Sequence, residues 1–138
     1  MPTTVKTWCL IVALSAAGFA GCGGQSSGRP DLDAIPDEEL HGASTKGLIY
    51  EFRAKVRKRG VLAARQEMPS LLESFKDYEK QPVGKHKETY REIAEKLKAL
   101  DSTLTAKPTK EAVVKAADEI GTLADKLPGK ANPNPQVD

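Results

Sequence analysis

The stretch KEAVVKAADEIGTLADKLPG, residues 110–129, sets the strongest limit on what this chain can fold into. Val113, Ala116, Ala117, Ile120, Leu123, Ala124 and Leu127 recur every three or four positions, with Lys115, Asp118, Glu119, Thr122, Asp125 and Lys126 between them. That is the α-helical period, and it gathers the apolar side chains into one stripe that must be buried against other elements. Thr109 stands where an N-cap belongs, and Pro128-Gly129 supplies a stop. Gly121 interrupts the interior at a cost of about 1 kcal/mol relative to Ala, which suggests that a neighbouring helix approaches closely there.

Three further segments repeat the pattern. In residues 86–104 the stripe is Tyr90, Ile93, Ala94, Leu97, Leu100 and Leu104, with Glu92 and Lys96 placed to pair across one turn. In residues 46–60 it is Leu48, Ile49, Phe52 and Val56; Tyr50 falls off that stripe and is expected on the surface. In residues 61–80 it is Val61, Ala64, Met68, Leu71, Leu72 and Phe75. Continuing one helix through Gly60 would turn Val61 away from Phe52, so a break or kink is expected at that glycine. Pro69 removes one helical hydrogen bond and predicts a kink or a fresh helix start. Four amphipathic segments with short connections predict an all-α fold, a small antiparallel four-helix bundle. The alternative is a three-helix arrangement with one long first helix carried through Gly60.

A composition rich in Ala, Leu, Lys and Glu supports helices and offers little material for strands. The net charge of +2 selects no class of partner. The two cysteines, Cys9 and Cys22, both precede the helical segments, so no disulfide framework supports them and the fold rests on its apolar core.

The first 22 residues, MPTTVKTWCLIVALSAAGFAGC, have Lys6 before an apolar stretch from Trp8 to Phe19, then small residues. This is the layout of a secretory signal peptide, and the run is short of the roughly 20 residues a transmembrane helix needs. Phe19, Ala20, Gly21 and Cys22 resemble the lipobox of bacterial lipoproteins, although lipoboxes usually carry an aliphatic residue where Phe19 stands. The resemblance implies cleavage before Cys22, acylation of its sulfur, and export to the bacterial cell envelope. Gly23 in the next position implies the periplasmic side of the outer membrane. The Cys-Gly-Gly start on a short helical domain also resembles small helical lipoproteins of planctomycete-type bacteria, which implies no activity. The expected organisation is a signal peptide over 1–21, a lipidated cysteine and flexible tether over 22–36, the helical bundle over 37–128, and a disordered tail over 129–138. Gly and Ser keep the tether flexible, with a reach of about 20 Å.

Charge is unevenly spread. Residues 46–65 carry Lys46, Arg53, Lys55, Arg57, Lys58, Arg59 and Arg65 against Glu51 alone, while Asp31, Asp33, Asp37, Glu38 and Glu39 precede them. Arg53, Lys55, Arg57, Lys58 and Arg59 form the candidate contact surface for an envelope protein or an anionic lipid surface. A solvated helix face is the plainer account of the same residues. Nucleic acid is not an expected partner, because export removes the chain from it.

Other motifs point nowhere. Residues 24–28, GQSSG, match the G-x-S-x-G pattern, yet Ser26 lies in the tether without the strand and helix a nucleophile elbow needs. His41 and His86 are the only histidines, and His41 with Asp37 falls short of a metal's three or four ligands. No acid/base pair or activated nucleophile can be assembled from spacing, so no enzyme and no cofactor is expected. The function expected is that of a membrane-anchored helical binding or scaffold module. A bundle holding a small haem-type ligand through Met68 and a histidine is the alternative.

Overall fold

The structure, a computed structural model, describes residues 35–138. The expected signal peptide over 1–21, Cys22 and all but the last two residues of the expected tether lie outside the described residues. Helix α1 spans Asp37–Arg59, and its ends carry the charges a helix dipole favours: Asp37, Glu38 and Glu39 in the first turn, Arg57, Lys58 and Arg59 in the last. Gly60 alone connects it to α2, Val61–Phe75. Its N–H closes α1 on the Val56 carbonyl at 2.7 Å, and its φ of 65° with ψ of −139° reverses the chain in a conformation open to glycine alone. The expected break at Gly60 is therefore a full turn between two helices, and the three-helix alternative is set aside.

Helix α2 runs through Pro69 without interruption. The fresh helix start foreseen at Pro69 does not occur; Pro69 lies on the exposed side while Met68 and Leu71 hold the buried side in place. Two 3₁₀ turns, Tyr78–Lys80 and Gly84–His86, lead into α3, Lys87–Thr105. A short link containing Lys107, whose φ of 54° is left-handed, then leads to α4, Lys110–Ala124. The hydroxyl of Thr109 caps α4 as expected, accepting a hydrogen bond from the Ala112 N–H at 3.3 Å.

Among the described residues there is no strand, and no helix is long and apolar enough to cross a membrane. Helix α1 packs against α2 and α4, and α3 packs against the same two, so α1 and α3 lie diagonally across an antiparallel four-helix bundle. The described residues belong to one compact unit, Asp31–Asp138, with a single apolar core. All six residues of the α3 stripe are buried; Phe52, Ile49 and Val56 meet them from α1, Met68, Leu71 and Phe75 from α2, and Val113, Ala117 and Ile120 from α4. Lys96 bridges to Glu119 on α4 at 2.7 Å rather than to Glu92 on its own helix, because the α3–α4 contact brings the second carboxylate closer to it.

The segment expected to be a disordered tail is irregular yet laid against α1. Leu127 is buried, and the Pro128-Gly129 turn sits over Gly42 and Ala43, where a β-carbon on Gly129 would come within 2.8 Å of the Ala43 Cβ. From there the chain runs back along α1. The Lys46 ammonium donates to the Gly129 carbonyl, the Arg53 guanidinium to the Pro133 carbonyl and the Lys58 ammonium to the Val137 carbonyl, each at 2.9 Å. Side chains of a helix ladder thus hold a segment that has almost no apolar material of its own; Ala131 alone packs on the core.

Candidate functional site

The five basic residues singled out on α1 go to different places. Lys55 pairs with Glu51 at 2.7 Å and with Glu67 of α2 at 3.0 Å, and these hydrogen bonds, Glu51's first, raise its pKa. Arg57 pairs with Asp118 of α4 at 2.7 Å. Arg53 and Lys58 bind tail carbonyls, which satisfy donors without cancelling charge. Arg59 is exposed and has no hydrogen-bond or ion-pair partner among the described residues. The single face expected from the sequence therefore divides into two cations, Lys55 and Arg57, paired with carboxylates of neighbouring helices, and three, Arg53, Lys58 and Arg59, that keep their charge.

Arg53 occupies the most built environment of the five. Its guanidinium carbon lies 4.9 Å from the centre of the Tyr50 ring, a cation–π distance, and its stem crosses Gly121. Beneath it, the Tyr50 hydroxyl donates to the Asp125 carboxylate. Burial, then the bond to Asp125 and its negative charge, push the Tyr50 pKa up to about 12. Tyr50 is only 5% exposed, against the expectation of a surface ring, because α4 and the Arg53 side chain cover the side of α1 that the stripe leaves open. The close approach expected at Gly121 is real, and it is made by this arginine rather than by a helix backbone.

A second feature involves the first half of α1, around His41. His41 stacks on Tyr90 with ring centres 5.4 Å apart and planes at 19°, and with Ser44, Leu48, Phe75 and Tyr78 they line a cleft of about 220 Å³. Burial lowers the His41 pKa and raises that of Tyr90. The Tyr90 hydroxyl is buried and closes no hydrogen bond of normal geometry. This cleft is smaller than the roughly 300–1,000 Å³ of drug-sized ligand sites. Met68 does not line it, so the Met/His pair that a haem-type ligand would use is not assembled here. His86 instead lies 3.6 Å from Glu38. Among the described residues no three or more His, Cys, Asp or Glu side chains are grouped so as to hold a metal ion.

Sequence reasoning missed the tail as a partner of the basic helix. It also missed Lys110, whose stem lies against Gly60 and so joins the end of α1. A backbone carbonyl has no side-chain signature, so the row of long donors Lys46, Arg53 and Lys58 along α1 is the one trace of it in the sequence.

No protein-family model matches the chain, and neither a comparison with curated proteins nor one with solved structures returns a match.

Proposed function

We propose that this chain is a lipid-anchored protein of the bacterial cell envelope whose helical bundle works as a binding module without catalysing a reaction. The observation that carries this reading is Phe19-Ala20-Gly21-Cys22 at the end of the apolar run. The bundle begins at Asp37, leaving between Cys22 and α1 the Gly- and Ser-containing stretch that a tether needs. The site chemistry supports binding over catalysis. The cations stand with no nucleophile or general base among them, whereas Arg53 and Lys58 are well placed to receive acceptor oxygens.

Two or three acyl chains on Cys22 make a stable anchor, whereas a single chain binds only marginally. The test is the intact mass of the N-terminal peptide recovered from a membrane fraction, beside a Cys22→Ser control. A peptide beginning at an acylated Cys22 supports the proposal. An unmodified cysteine, or a start elsewhere, overturns the anchor.

A further inference from the structure

The fold gathers basic residues from four separate elements at one pole of the bundle. Residues 58–66 form the α1–α2 reversal and residues 104–112 the α3–α4 link, and Arg65 ties them together by donating to the Leu104 carbonyl at 2.9 Å. Lys110 leans on Gly60 from the other side, so both links share the pole. Between them they expose Lys58, Arg59, Arg65, Lys107 and Lys110 against the single acid Glu111. In their midst Leu62 is 56% exposed, the most exposed large apolar side chain among the described residues. The first turn of α2 holds no acid and has no side-chain cap, so its N–H groups add to the positive field. The other pole is mixed in charge, with Asp37, Glu38 and Glu39 opening α1 beside Lys85, His86 and Lys87.

Cations gathered at the pole that also exposes Leu62 match the interfacial layer of an anionic bilayer, which offers phosphate oxygens at its surface and hydrocarbon just beneath. A soluble polyanion would use the cations and leave Leu62 in water. The tail bears on the same place. Anchored at the Pro128-Gly129 turn, it runs the length of α1 and ends with the Val137 carbonyl on Lys58, bringing its one acid, Asp138, to the residue after. A lipid phosphate is a better acceptor for Lys58 and Arg53 than a neutral carbonyl, since it returns charge as well as a hydrogen bond.

We propose that the pole formed by Lys58, Arg59, Leu62, Arg65, Lys107 and Lys110 docks on an anionic lipid surface, and that the C-terminal tail competes with the lipid for Arg53 and Lys58. This rests on reading the bundle as a binding module and is independent of acylation at Cys22.

The test uses the compact unit Asp31–Asp138, which lacks Cys22, so a failure of the anchor leaves it untouched. Binding is measured by co-sedimentation with phosphatidylcholine vesicles, with and without phosphatidylglycerol, and separately to soluble polyphosphate. Of the two vesicle types only the one containing phosphatidylglycerol should be bound, with binding weakened roughly fivefold for each charge removed by Arg59→Gln, Lys107→Gln and Lys110→Gln, and retained in Lys107→Arg with Lys110→Arg. Leu62→Ser should weaken vesicle binding while leaving polyphosphate binding unchanged. Ending the chain after Asn132, which keeps the Pro128-Gly129 turn, should tighten vesicle binding on the order of tenfold as two cations are freed. Circular dichroism checks that each variant keeps its helices. Equal binding to both vesicle types, or indifference to the charge changes, overturns the docking surface. Indifference to Leu62→Ser reassigns it to a soluble polyanion, and a shortened chain that binds no tighter removes the tail from the proposal.

Discussion

Arg53 lies across Gly121, its Nη1 2.8 Å from the point where a β-carbon on that glycine would stand. The absent side chain on α4 is what allows a guanidinium on α1 to reach both the Tyr50 ring and the Pro133 carbonyl. Gly121→Ala sets two effects against each other. Alanine gains about 1 kcal/mol of helix propensity, while displacing Arg53 forfeits a cation–π contact of about 0.5–1 kcal/mol. Global stability should therefore change by less than about 1 kcal/mol, while residues 133–138 lose their hold on α1. Denaturant unfolding paired with NMR order parameters of the tail will show it. An unchanged tail would mean that Arg53 does not hold it.

Gly60 is the opposite case, where the backbone itself demands glycine. A β-carbon at φ 65° and ψ −139° is strained and also meets the Lys110 Cγ at 3.0 Å. Gly60→Ala should cost about 1–3 kcal/mol, read as a lower urea midpoint. Size-exclusion chromatography of the same variant should also reveal dimers, because alanine favours one continuous helix from α1 into α2 and hence exchange of α1 between copies.

Pro69 occupies an exposed site inside a helix that continues past it. Pro69→Ala restores a backbone donor and removes the ring's clash with the preceding turn, so it should stabilise the fold by roughly 1–2 kcal/mol, less than the full interior penalty because proline also restricts the unfolded chain. A rise in thermal midpoint is the expected result. A fall would show that α2 needs the distortion proline imposes.

The Tyr50–Asp125 pair makes stability depend on alkaline pH. The folded pKa of about 12 lies above the ordinary value of 10.0, so the folded state holds this proton more tightly than the unfolded one. The contribution is complete below pH 10 and is lost as pH rises through about 12, on the order of 2 kcal/mol in all. Tyr50→Phe should be less stable at neutral pH and should lose less stability than the parent between pH 10 and 12. Parallel curves over that window would show that the hydroxyl bond contributes nothing.

Much of the secondary structure can be read from local chemistry. The α3 stripe from Tyr90 to Leu104 predicts its own burial residue by residue, since a 3.6-residue period admits only one apolar side. Thr109 caps α4 and Gly60 ends α1 for reasons contained within a few neighbouring residues. Pro69 shows the limit of such reasoning: its local penalty is real, but packing of Met68 and Leu71 on the bundle core outweighs it. Tyr50 shows another, because whether an off-stripe ring is wet depends on what crosses it.

By itself the sequence determined the all-helical class and most of the apolar sides, because those follow from interactions among residues a turn or two apart. It did not determine the start of α1 at Asp37, the exposure of Leu48 or the burial of Tyr50. Only the tertiary structure decided which charges are neutralised, which end of the bundle collects Lys58, Arg59, Lys107 and Lys110, and where the tail lies. The partners of those side chains are set by which helix faces meet. Arg53 and its carbonyl on Pro133 stand 80 residues apart, a separation at which neither spacing nor periodicity carries information.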